Sequence, residues 1–214
     1  MTKKGHAVTL NDLSEKSLEV AIRNARKEDV EFKAIVHANA LAIMQHASFQ
    51  ASHGLFDVVL CLGPLYHLLA PEERSAVISN CLSMTKPGGY VLLAYVTVYA
   101  HLRDMARRDP SRLSKEWDFY KEYLDSGKYT RNVNNESFHI HPADLEMELE
   151  TVKSQVSVVR TVSCEGILGS DLARGLAAMN EEEMQHWVDI IMKSAELKET
   201  LNSADHLLVV LQKL

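Results

Sequence analysis

Two almost wholly apolar runs, Val58 to Leu62 (preceded by Asp57) and Tyr90 to Val98, flank a stretch with a helical pattern. Short, continuously apolar runs suit strands buried on both faces of a parallel sheet. Pro71 and the acids after it suit a helix start. Ala76, Val77, Ile78, Cys81, Leu82 and Met84 then form one broad buried stripe, and Lys86-Pro87-Gly88-Gly89 stops the helix. A strand, a helix and a second strand of this kind read as a parallel crossover unit, which narrows the fold class to α/β.

The flanking segments extend the alternation. His6 to Leu10 is a short apolar run, Ser14 is an N-cap, and Ser17 to Lys27 has helical composition. Phe32 to Val36 is a second strand candidate, and Leu41, Ile43 and Met44 suggest a short turn of helix. Beyond Val98, residues 99–142 carry many aromatics (Tyr99, Trp117, Phe119, Tyr120, Tyr123, Tyr129 and Phe138) and three histidines. Leu102 to Arg108 and Leu113 to Leu124 look helical, and Thr130 to Glu136 looks like a loop. This part reads as a helical cap inserted within a single 1–214 domain. Leu145 to Thr151 follows as helix and Gln155 to Cys164 as strand. Ser170 to Thr200 holds one or two helices, and His206 to Lys213 is a terminal strand.

Charge excludes some functions. The net charge is −6 and the charged residues are scattered, so no basic stripe suggests nucleic acid or an anionic membrane. No apolar run approaches the ~20 residues that span a bilayer. Lys3 and Lys4 are not followed by a secretory apolar segment. Cys61, Cys81 and Cys164 are odd in number and widely spaced, and read as free core thiols in a reducing, cytoplasmic compartment.

Several segments, in order, resemble the class I S-adenosylmethionine-dependent methyltransferases of the small-molecule type. Val8 to Ser14 with Leu18-Glu19-Val20-Ala21 is similar to that family's second strand and following helix, and His37 to Leu41 to its third-strand motif. Phe56 to Leu69, with Leu82 to Gly89 after it, resembles the fourth strand, its loop and the turn before the fifth. The likeness continues through Ala94, Tyr99 to Asp104, Phe138 to Pro142 and Glu165-Gly166-Ile167. It implies a Rossmann-like, mainly parallel sheet with helices on both faces.

The resemblance also implies site residues. The cofactor would meet Asp12 and Leu13 at the ribose, Asn39 and Ala40 at the adenine, and Leu62 and Gly63 after the fourth strand. One carboxylate can accept from both ribose hydroxyls. Asn39 stands where the family carries Asp, so it offers a carbonyl oxygen without charge. Read without the family, Asp12 equally suits a helix cap and Asn39 a turn. Tyr66, His67, Tyr99 and His101 follow strands four and five and are the catalytic candidates, with His67 or His101 as the base or as a structural histidine. Tyr95, Phe138, His139, His141 and Glu165 would line a pocket for a hydrophobic small molecule. His139-x-His141 with Glu165 is too weak a pattern to imply a metal.

The family's first strand, with its acid-x-Gly-x-Gly-x-Gly turn, has no counterpart. Five residues precede His6, and Gly63, Gly88-Gly89 and Gly166-Ile167-Leu168-Gly169 do not form that motif. The missing strand is central, so its absence leaves two rows of unpaired backbone groups. The second strand then pairs directly with the fourth, or a homodimer or heteromer completes the sheet, or the chain is shortened. S-adenosylmethionine binding is expected to be weakened or lost. Three functions accord with this: a methyltransferase on a hydrophobic small molecule, a cyclase or pericyclase reusing the pocket, and a pseudoenzyme subunit.

Overall fold

The computed structural model describes residues 1–49, 54–131, 136–169, 176 and 178–214. Local polar signals build its first strand and helix. β1 (Thr9–Asp12) ends where the Asp12 carboxylate accepts from the Ser14 N–H at 2.7 Å. The Ser14 hydroxyl accepts from the Ser17 N–H at 3.2 Å and caps α1 (Glu15–Lys27). Ser14→Ala is therefore expected to lower stability by about 1 kcal/mol. Urea unfolding should show a lower midpoint with an unchanged slope, and an unmoved midpoint would refute the capping role.

β2 (Ala34–His37) runs parallel to β1, with Thr9 opposite Ala34 and Asp12 opposite His37. It starts two residues later than the sequence pattern suggests. Asn39 caps the 3-10 turn Ala40–Gln45, its Oδ1 accepting from the Leu41 N–H at 2.9 Å.

β3 (Phe56–Cys61), α2 (Pro71–Met84) and β4 (Thr85–Val96) form the expected crossover unit, and β3 and β4 are parallel. Val77, Ile78, Cys81 and Leu82 of α2 pack on Val91, Leu93 and Tyr95 of β4 in the main core. The Lys-Pro-Gly-Gly segment follows the helix end rather than making it. It is a bulge inside β4, because Phe56 and Val58 of β3 face Thr85 and Tyr90. Gly88 has φ +74, and a Cβ at Gly89 would lie 2.8 Å from the Asp57 carbonyl oxygen, so both positions need glycine.

β4 ends at Val96, two residues earlier than its apolar run, because Thr97 caps α3 (Val98–Arg108). The Thr97 hydroxyl accepts from the Tyr99 N–H at 3.2 Å. α4 (Ser111–Lys115) and α5 (Trp117–Ser126) follow. β5 (Lys128–Tyr129) then pairs antiparallel with β6 (Ser137–Phe138), a hairpin that the sequence pattern does not suggest. Most of the loop expected at Thr130 to Glu136 lies outside the described residues. The cap has its own small core of Val98, Met105, Tyr120 and Tyr123. It is sewn to the sheet by Ile140, whose N–H donates to Val96 at 2.9 Å and whose carbonyl accepts from the Val98 N–H.

α6 (Leu145–Glu148) leads to β7 (Val156–Ser163). The start of the helical stretch expected from Ser170 lies outside the described residues, and α7 (Glu181–Ser194) and α8 (Lys198–Leu201) follow. β8 (His206–Lys213) lies between β4 and β7 and is antiparallel to both. The strand order is β3-β4-β8-β7, with β1-β2 as a separate pair.

β1 does not pair with β3, so the sheet has not closed in the first of the expected ways. The two sheets are instead joined by side chains. Val36, Ile43, Phe49 and Met84 cluster with Phe56 and Val59, and the Asn80 amide donates to the Ala40 and Leu41 carbonyls at 2.9 and 3.2 Å. One expectation for β3 is corrected. Its run is apolar throughout, but Val58 and Leu60 are 40% and 41% exposed. They share the face opposite α2, and β3 is the outer strand of its sheet.

Candidate active site

The carboxyl ends of β1 to β4 carry the residues expected to meet a cofactor and substrate. Asp12 sits at the tip of β1. One of its oxygens is committed to the Ser14 N–H, which leaves the other for a ligand hydroxyl. Leu13 beside it is 65% exposed, and its carbonyl is bonded to His37 Nε2 at 2.8 Å. Asn39 and Ala40 open the turn after β2, where the Asn39 carbonyl oxygen keeps a second lone pair beyond its bond to Leu41. Asn39 caps its turn as the local reading expects, whereas Asp12 accepts from the N–H of Ser14, which is itself the cap of α1. The ends of β1 and β2 thus present two acceptor groups, the Asp12 carboxylate and the Asn39 carbonyl.

Leu62 and Gly63 follow β3, and the turn Pro64–His67 brings Tyr66 back so that its hydroxyl donates to the Leu62 carbonyl at 3.1 Å. His67 is exposed, and its ring lies 4.8 Å from that of Tyr66.

His101 is placed differently. It stands in the first turn of α3 inside an aromatic cluster of Tyr120, Tyr123, Tyr129 and His139, with ring centroids 4.6 to 5.9 Å away. Its buried Nε2 has no hydrogen-bond partner, and neither does the buried Tyr120 hydroxyl. Burial and then the Arg112 guanidinium hold the His101 imidazole below its ordinary pKa. Tyr99 leaves this cluster for His141, 6.3 Å away edge to face.

His139 and His141 point to different partners and do not converge. His139 Nδ1 lies 2.6 Å from the Tyr123 hydroxyl and its Nε2 lies 3.1 Å from the Ser137 hydroxyl, whereas His141 bonds the Leu124 carbonyl. Burial, then the charges of His101 and His206, lowers the His139 pKa to about 4. An unfolded histidine titrates near ~6.5. Between these values the unfolded chain binds the extra proton, so His139 makes stability fall as pH drops through that window. His101 acts in the same direction and His206, with its raised pKa, in the opposite one. Denaturant unfolding from pH 7 to pH 5 should show a loss that His139→Gln reduces, and an equal loss in that variant would refute the assignment.

Two expected pocket residues turn out to be structural. Tyr95 alternates onto the α2 side of β4 and is a 1% exposed core residue. The Phe138 ring lies 3.6 Å beneath the Arg74 guanidinium. Cys61 and Cys81 are buried as expected, but Cys164 is exposed in the turn after β7.

Sequence reasoning missed Arg74, Glu148, Arg103, Asp205 and His206. Arg74 and Glu148 form a buried bidentate pair at 2.6 and 3.0 Å. Arg103 pairs with the buried Asp205, and Glu165 bonds His206. The run Ala204-Asp205-His206 was a usable signal, because a polar pair directly before the last apolar strand marks the end of the sheet from which that strand starts. Among the described residues no three His, Cys, Asp or Glu side chains converge on a possible metal position.

Comparisons with known proteins identify the shared part. Residues 1–89 match the family model of a methyltransferase domain. The chain is 35% identical over 94 residues to a ubiquinone biosynthesis O-methyltransferase of Bordetella avium, covering 44% of this chain and 35% of that protein. It is 34% identical over 103 residues to the corresponding Shewanella pealeana protein, covering 48% and 39%. The match thus spans little more than a third of these curated relatives. A solved S-adenosylmethionine-dependent methyltransferase of Methanosarcina mazei superimposes with TM-score 0.59 at 18% identity, over 100% of this chain and 84% of that one. A Pyrococcus horikoshii protein gives 0.55 at 12% identity, over 99% and 74%. These likenesses extend the common fold over the whole chain, while residues 1–89 carry the sequence kinship. Residues 1–89 are thus similar in sequence to methyltransferase domains, and the chain as a whole shares the fold of solved S-adenosylmethionine-dependent methyltransferases.

Proposed function

We propose that this chain transfers a methyl group from S-adenosylmethionine to a hydrophobic small molecule. One observation carries the reading: the segment shared with methyltransferases, residues 1–89, is the segment that supplies Asp12, Asn39 and Gly63 at the strand ends. The cofactor supplies an electrophilic methyl when bound. The protein's own part is to hold and align. Asp12 takes the ribose through its second carboxylate oxygen, and Asn39 faces the adenine through its carbonyl. The aromatic cap favours a flat apolar acceptor. Alignment of acceptor and methyl accounts for most of the rate in a transfer that needs little else from the protein.

The O-methyltransferase names of the curated relatives support an oxygen acceptor. The test is a mass-spectrometric screen of hydroxylated aromatic compounds incubated with the chain and S-adenosylmethionine. A product heavier by one methylene is expected. A product of unchanged mass would replace this reading with rearrangement chemistry.

A further inference from the structure

β8 runs antiparallel to β4, so its first residue, His206, lies opposite Val96, the last residue of β4. β7 ends beside it, with Ser163 opposite Leu207. His206 is thereby placed at the end of the sheet where β4 delivers Thr97 and Tyr99. Glu165, in the turn after β7, grips it twice. One carboxylate oxygen bonds His206 Nδ1, and the other accepts from the His206 backbone N–H at 3.2 Å. The Glu165 side chain is 15% exposed and the His206 ring 45% exposed. A shielded carboxylate therefore holds Nδ1 of a ring that is about half exposed, so Nε2 is the nitrogen not engaged by Glu165. A base oriented by a third group is the arrangement that general-base catalysis requires.

We propose that His206, oriented by Glu165, is the proton acceptor for a substrate hydroxyl during methyl transfer. The inference rests on the methyl-transfer reading. The hydroxyl proton passes to Nε2 as the oxygen–methyl bond forms. The sulfur–methyl bond breaks and its electron pair stays on sulfur, leaving a neutral thioether and a His206 imidazolium paired with Glu165. A phenolic hydroxyl suits this base. The titratable groups set against His206 are Glu165 from the turn after β7, Asp205 just before β8, which is itself paired with Arg103 of α3, and His139 beyond β6. The bond to Glu165, against burial, raises the His206 pKa above its ordinary value. Turnover should therefore rise with pH through that raised value as the ring becomes neutral.

The test uses catechol as the probe acceptor, on wild type, His206→Gln and Glu165→Gln. Ring resonances of His206 should shift when catechol is added, in the presence or absence of cofactor. Thioether release should fall by roughly 10²–10⁴-fold in His206→Gln, with S-adenosylmethionine affinity unchanged. In Glu165→Gln the acidic limb of the pH profile should move to lower pH. His206 resonances unmoved by catechol, or an intact acidic limb in His206→Gln, would overturn the proposal. A catechol response without any heat from S-adenosylmethionine would support the acceptor site and sink the methyl-transfer reading instead.

Discussion

Arg74→Ala is expected to lower stability by about 3–5 kcal/mol, because it strands one half of a buried ion pair. The Arg74 side chain is 5% exposed and that of Glu148 is 9% exposed. The guanidinium also donates to the Leu68 and Leu69 carbonyls at 3.0 and 3.1 Å and covers the Phe138 ring. One side chain thus joins α2, the loop after β3, the hairpin strand β6 and α6. Without it, Glu148 keeps a buried charge with no counter-ion and two carbonyls lose their donors. Guanidinium unfolding would read the cost directly. Replacing Arg74 and Glu148 together by apolar residues of similar volume should cost much less than Arg74→Ala. A loss below about 1 kcal/mol for Arg74→Ala would show that the pair is only a surface-grade contact.

The second large effect concerns cofactor affinity. A hydrogen bond to a charged group contributes about 1.5–3 kcal/mol, so Asp12→Ala should weaken S-adenosylmethionine binding by roughly 10- to 150-fold. Asp12 also braces the turn into α1 through Ser14, so a thermal scan belongs beside the titration. Asp12→Asn keeps an acceptor for that turn and loses the charge, and its affinity should fall between wild type and alanine. Equal affinity in all three proteins would remove Asp12 from the cofactor site.

The strand–helix–strand unit around α2 was legible in the sequence because its signals are local. Pro71 starts the helix, an apolar stripe runs along it, and two apolar runs flank it. β8 spans His206 to Lys213, as its apolar pattern suggested. The cap hairpin was not legible, because two-residue strands carry too little pattern and are held by Gly127 meeting the His139 backbone. The exposure of Val58 and Leu60 was also hidden, since burial of a strand face depends on what packs against it.

Of the candidate site, Asp12, Asn39 and Gly63 were expected from the resemblance to methyltransferases, and they lie at or just after strand ends. The Arg74–Glu148 and Glu165–His206 pairs did not, because they join residues 74 and 41 positions apart. Tyr95 shows the opposite error: it lies in the right strand, but a one-residue alternation puts it in the core.

A calorimetric titration of the chain with S-adenosylmethionine should show saturable binding at one site per chain. No heat at ~millimolar cofactor, a concentration that detects even weak association, would contradict the methyl-transfer reading.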